Sequence, residues 1–140
     1  MTDRSITTPP LARIFYVSEI VTPVSFVDIQ VILGAAQVIN RRLDVTGMLA
    51  QSDGHFAQVL EGRPEAILDV MARIGRNPRH RLIRVILEEP ISRRQFDRWA
   101  MGLVRRDDMA AEMQLLHQAG AMAADEARVL VQRLLRMGEA

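Results

Sequence analysis

Two alternating runs joined by a short turn, DVTGMLAQ, SDG and HFAQVLEG over residues 44–62, constrain the fold of this chain more than any other feature. Period-two alternation on both sides of Ser-Asp-Gly predicts an antiparallel hairpin. Helical periodicity flanks it on both sides. Phe26, Ile29, Leu33 and Ala36 form an apolar stripe that continues to Asn40, and Ile67, Val70, Met71 and Ile74 form a second. Ser25 suits the first helix as N-cap, with Asp28 three residues on, while Arg41 and Arg42 complement its C-terminal end. Pro64 suits the first turn of the second helix, and Asn77-Pro78 ends it.

Outside these elements, LARIFYVS (11–18) alternates and is rich in aromatic and β-branched residues, so it reads as a strand. RLIRVILEE (81–89) is a fourth strand closed by Pro90, and RWAMGLV (98–104) a short fifth. The order βαββαββ is an α+β, ferredoxin-like plan with one strand added: a five-stranded mixed sheet with both helices on one face. From about Asp107 the period turns helical, with Met109, Met113 and Leu116, then Ala127, Leu130, Val131 and Leu134, separated by Gly120. Such a helical pair needs a surface to cover. The free sheet face is the first candidate and a partner subunit the second. The chain thus divides into a polar leader over 1–10, expected to be mobile, a domain over 11–105 and a helical extension over 106–140.

Charge is balanced, with 18 basic residues, all arginine, against 17 acidic ones, so net charge makes no case for a nucleic acid or a membrane as partner. No apolar run approaches a bilayer-crossing length. The polar start MTDRSITTPP lacks a signal-peptide core, and a cytoplasmic address is the expectation. The absence of cysteine removes disulfides, thiolate metal sites and a cysteine nucleophile. His55, His80 and His117 are far apart in sequence and in unlike contexts, so no metal centre is expected.

Three polar residues fit a plain core poorly. Gln58 stands between Phe56 and Leu60 on the face of its strand that looks most buried. An amide there has up to four hydrogen-bonding sites, and one left unmade costs about 1–3 kcal/mol. Tyr16 shares a face with Ala12 and Ile14, and in a ferredoxin-like sheet the first and third strands are neighbours, so its phenol could meet Gln58. That pairing would still leave amide sites for a polar ligand. Asn40 extends the apolar stripe of the first helix. Plainer readings stand beside these: Asn40 as a helix end, Tyr16 as core, Gln58 bonded to backbone, Arg79 and His80 as a solvated turn, Trp99 and Met101 as core or interface.

Taken in order, FYVS with Tyr16, Asn40 ahead of VTGML, DGHFAQVLEG with Gln58, NPRH, and RQFDRWAM resemble the BLUF domain, a family of blue-light sensors that bind flavin, over about Leu11 to Val104. The overall length resembles the short stand-alone members of the BlrB type. The resemblance implies a photosensory protein rather than an enzyme, with FAD held noncovalently, FMN and riboflavin remaining open. It places the isoalloxazine ring between the two helices, Gln58 bridging Tyr16 and the ring, Asn40 at the pyrimidine end, Arg73 near the opposite carbonyl, and Arg79 and His80 at the outer end. Light would draw an electron and then a proton from Tyr16, leaving the Gln58 amide rotated or tautomerised. Trp99 and Met101 would relay that change to the tail and on to a downstream protein partner, with a homodimer also admitted. Ile39 stands where many members carry His or Asn, and Asn77 where an acid is usual. Two rivals remain: a small acylphosphatase-like hydrolase, which lacks a Gly-rich anion loop in YVSEIVTPVS, and a dimeric binding module that is not photoactive.

Overall fold

The structure, a computed structural model, describes residues 10–21, 25–98 and 100–139. Of the expected leader only Pro10 falls among them, and Trp99 lies outside the described residues. In chain order the elements are β1 (Leu11–Ile20), α1 (Phe26–Leu43), β2 (Thr46–Gln51), β3 (His55–Gly62), α2 (Pro64–Gly75), β4 (His80–Ile91), β5 (Gly102–Arg105), α3 (Ala110–Ala119) and α4 (Ala124–Glu139). Single 3₁₀ turns at Asp107–Met109 and Gly120–Ala123 lead into the last two helices. The strands form one mixed sheet in the order β4-β1-β3-β2-β5, antiparallel except for the parallel pair β2 and β5. This is the expected α+β, ferredoxin-like plan with its added strand.

Local chemistry accounts for the element ends. Ser25 Oγ accepts from Asp28 N–H at 3.1 Å while Asp28 Oδ2 accepts from Ser25 N–H at 3.2 Å, a reciprocal cap on two otherwise orphaned donors. Hydrogen bonding to the carboxylate, from the Ser25 backbone N–H first and then from its hydroxyl, holds the Asp28 carboxyl below its ordinary value. Asn40 does not end α1; the helix runs to Leu43 and closes on Asp44, whose φ of 56° is left-handed. Aspartate is one of the few residues with a side chain that tolerate that conformation.

Alternation along the strands feeds two cores. On one face Ile14, Leu49, Phe56 and Leu60 pack with Ile29 of α1 and Ile67 and Val70 of α2. On the other, Phe15, Val17, Met48 and Val59 pack with the tail. All seven residues of the tail's apolar stripes are at most 3% exposed, so the tail covers the sheet face that α1 and α2 leave open. Fully burying a side chain of this size contributes about 1.5–3 kcal/mol, which makes the tail part of the folded unit.

Two strand ends differ from expectation. β4 continues through Pro90 to Ile91, with Pro90 opposite Ala12. β4 lies at the sheet edge, where a residue without an N–H is tolerated. β5 is shorter than RWAMGLV and begins only at Gly102, so Met101 precedes the strand. The passage before it is bound by side chains instead of a ladder: Glu61 Oε1 accepts from Gln95 N–H and Phe96 N–H at 2.8 and 2.7 Å, and Asn40 Nδ2 donates to Ala100 O at 2.8 Å. Backbone groups already partnered in this way have no need of a strand neighbour.

Candidate functional site

A cleft of about 260 Å³ opens between α1 and α2 above the sheet. Val31, Ile32, Ala35, Ala36 and Ile39 of α1 and Val70 and Ile74 of α2 give it apolar walls, and Leu49 and Phe56 rise from the sheet below. Tyr16, Asn40, Gln58, Arg73, Arg79, His80 and Met101 all line it, so the expected site residues among those described converge on one cavity.

Tyr16 and Gln58 are directly opposite in the β1–β3 register, which accounts for their meeting. The Tyr16 hydroxyl donates to Gln58 Oε1, and both side chains are buried. Burial pushes the phenol above its ordinary value, so it stays protonated throughout the neutral range. Gln58 Nε2 donates to Met101 Sδ at 3.2 Å. A thioether is a weak acceptor, so an amide with four sites is met at one end by a good partner and at the other by a poor one. Unmet amide capacity beside an apolar cleft suits a flat ligand with polar edge atoms.

Asn40 is 1% exposed and spends its Nδ2 on Ala100 O, while Gln37 Nε2 donates to Met101 O at 3.1 Å. The end of α1 therefore grips the passage that carries Met101. His80, at the start of β4, bonds through Nε2 to Ile74 O at 2.9 Å and through Nδ1 to Ser18 Oγ at 2.7 Å. A carbonyl only accepts, so Nε2 carries the proton and, in the neutral ring, Nδ1 accepts from the Ser18 hydroxyl. The ring lies 6.4 Å from Tyr16 and edge-on to Phe56 at 6.0 Å.

Arg73 Nε donates to Asp69 Oδ1 at 3.0 Å on the half-exposed surface of α2. The Arg79 guanidinium lies 3.9 Å from Asp28, at the entry to α1, and its backbone N–H donates to Asn77 Oδ1 at 2.9 Å. Asn77 thus keeps the turn that an acid at that position would make.

Sequence reasoning missed Ser18, a small residue on the cleft side of β1 whose alternation with Tyr16 was its only signal. It also missed Glu61, 0% exposed, which accepts from Arg13 Nε at 2.8 Å as well as from the Gln95 and Phe96 backbone. His55 and His117, far apart in sequence, come together in the fold, with ring centroids 5.6 Å apart. No helix among the described residues is long and apolar enough to cross a membrane.

Residues 11–102 match the family model for BLUF, sensors of blue-light using FAD. The chain is similar to the photoactivated adenylate cyclase subunit beta of Euglena longa, 31% identical over 86 residues. The match takes in 61% of this chain and 10% of that protein, so the chain spans about a tenth of the curated relatives it matches. Among solved structures it resembles the dark state of BlrB, a BLUF protein, with a TM-score of 0.78 and 29% identity over 92% of this chain and 98% of that one. It also resembles a bacterial light-regulated adenylyl cyclase, with a TM-score of 0.67 and 27% identity over 91% of this chain and 39% of that one. With the fold, the paired Tyr16 and Gln58 and the family match in agreement, the chain belongs to the BLUF family of blue-light sensors that use FAD.

Proposed function

We propose that the cleft holds the isoalloxazine ring of a flavin, FAD before FMN or riboflavin, and that the chain reports blue light through Tyr16 and Gln58. The observation that carries the reading is the Gln58 amide, with a phenol donating to its oxygen and only a thioether accepting from its nitrogen, at the wall of an apolar cleft. The bound flavin supplies the blue absorption and the electron demand of its excited state. Tyr16 is the donor of electron and proton, and its O–H already points at Gln58 Oε1, which gives the proton a path. Gln58 answers by exchanging the roles of its amide ends, by rotation or tautomerisation, so that the group facing the phenol and the group facing Met101 change character. Asn40 holds the pyrimidine end of the ring, and Arg73, Arg79 and His80 its outer end.

The relay runs from Gln58 to Met101, and from Met101 to β5, whose Val104 packs against the tail core. A shift from 10:90 to 90:10 between two tail packings needs about 2.6 kcal/mol, within reach of one or two rearranged buried hydrogen bonds. In this reading residues 11–105 sense and 106–140 transmit, and the output is a protein partner met through α3 and α4. The chain acts as a photosensor and not as a hydrolase.

Ala35 lines the cleft from the exposed side of α1, so Ala35→Trp fills the cavity without replacing a residue of either core. The variant is expected to keep the wild-type circular dichroism and to lose FAD binding by at least about tenfold, measured by quenching of flavin fluorescence. Wild-type affinity in a folded Ala35→Trp variant would place the flavin elsewhere.

A further inference from the structure

On the sheet face opposite the cleft, Glu19 of β1, His55 of β3 and His117 of α3 bring one ligand atom each to within 4.8 Å of one another. We propose that these three residues form a binding site for a first-row divalent metal ion, zinc by donor set, which pins the end of α3 to the sheet. The proposal is independent of the flavin reading.

The backbone builds the site. Glu19 and His55 are register partners across β1 and β3, so their side chains leave the same face side by side. His117, in the last turn of α3, comes down on them from the tail. Two imidazoles and a carboxylate are a common three-residue zinc set that leaves a fourth, tetrahedral position for water. At metal–ligand distances of 2.0–2.1 Å, tetrahedral ligands stand about 3.4 Å apart, so the cluster needs to contract by little more than an ångström.

The remaining atoms of each residue are tied as those of metal ligands are. His117 Nε2 donates to Leu82 O at 2.6 Å, which fixes the proton there and leaves the Nδ1 lone pair free. Arg81 Nε donates to Glu19 Oε1 at 3.2 Å, which orients the carboxylate and leaves Oε2 for an ion. His55 Nδ1 is buried and has no hydrogen-bond partner among the described residues, a cost that a bound ion would remove. Arg81, and Arg84, which donates to His117 O at 3.1 Å, stand close by and limit the affinity for a cation.

The test is titration of the tag-free, chelator-treated full chain with CoCl2 and ZnCl2, read by the visible absorption of tetrahedral Co2+ and by the melting temperature with and without Zn2+. The expected result is one ion per chain, a Co2+ band displaced by Zn2+, and a Zn2+-dependent rise in melting temperature. His55→Ala and His117→Ala should each weaken binding by about tenfold or more. Glu19→Gln, which keeps the shape and removes the charge, should do the same. Absence of one-to-one binding, or binding that survives both histidine variants, would overturn the proposal.

Discussion

Burial raises the Tyr16 phenol above its ordinary value of 10.0, and the chain is unusually well suited to showing it. Tyr16 is its single tyrosine, every basic side chain apart from histidine is arginine, and there is no cysteine. Between about pH 9 and 12 no other side chain is expected to titrate. The folded state favours the neutral phenol, so the unfolded chain gives up its proton first as pH rises. Stability present below pH 10 is therefore lost above it, at about 1.4 kcal/mol per pH unit until the folded phenol also ionises. Unfolding of the flavin-free chain should show this alkaline slope, and Tyr16→Phe should remove it. A tyrosinate absorbance step near pH 10 in the folded wild type would contradict the account. At this scale the site was largely legible. Alternation put Tyr16 and Gln58 on inward faces, and amides and phenols among apolar neighbours demand partners. Ser18 was not legible, because a serine in a strand carries no such demand until His80 is placed against it.

Among the elements, the passage from β4 to β5 decides where Met101 sits, and it hangs on one buried carboxylate. Glu61 takes an ion pair from Arg13 and two backbone N–H groups from residues 95 and 96, all with its side chain 0% exposed. Removing Glu61 takes the closer carboxylate from the buried Arg13, which keeps only the longer pair with Glu89 at 3.4 Å, and takes the acceptor from two backbone N–H groups, at a cost of about 3–5 kcal/mol. Glu61→Ala should lower the unfolding free energy from denaturant titration by that much, far more than Glu65→Ala, whose ion pair with Arg63 is mostly exposed. Equal, small losses in the two variants would show that Glu61 does not organise the passage. The sequence pattern placed Glu61 on the tail side of its strand but could not supply its partners, which come from 34 to 48 residues away. The same distance effect explains β5: apolar alternation in RWAMGLV suggested a longer strand, while Asn40 and Gln37 take the carbonyls of Ala100 and Met101 just ahead of Gly102, where the strand begins.

For the whole molecule, one sheet carries two chemistries on its two faces. Period-two alternation sends Ile14, Tyr16, Gln58 and Leu60 toward the cleft and Phe15, Val17 and Val59 toward the tail, so a change at Gln58 lies one sheet thickness from the α3 and α4 core. The general plan was readable because hydrophobic period distinguishes helix from strand and the order of elements then admits few topologies. The approach of His55 to His117 was not, since nothing in the local pattern says where α3 lands. Whether light rearranges the Tyr16–Gln58 pair is read from the absorption spectrum of the FAD-loaded chain before and after blue light. A slight red shift of the flavin band that reverses in the dark is expected, absent from Gln58→Leu protein that still binds FAD. A bound flavin whose spectrum is unchanged by light in the wild type, or an equal shift in Gln58→Leu, would contradict it.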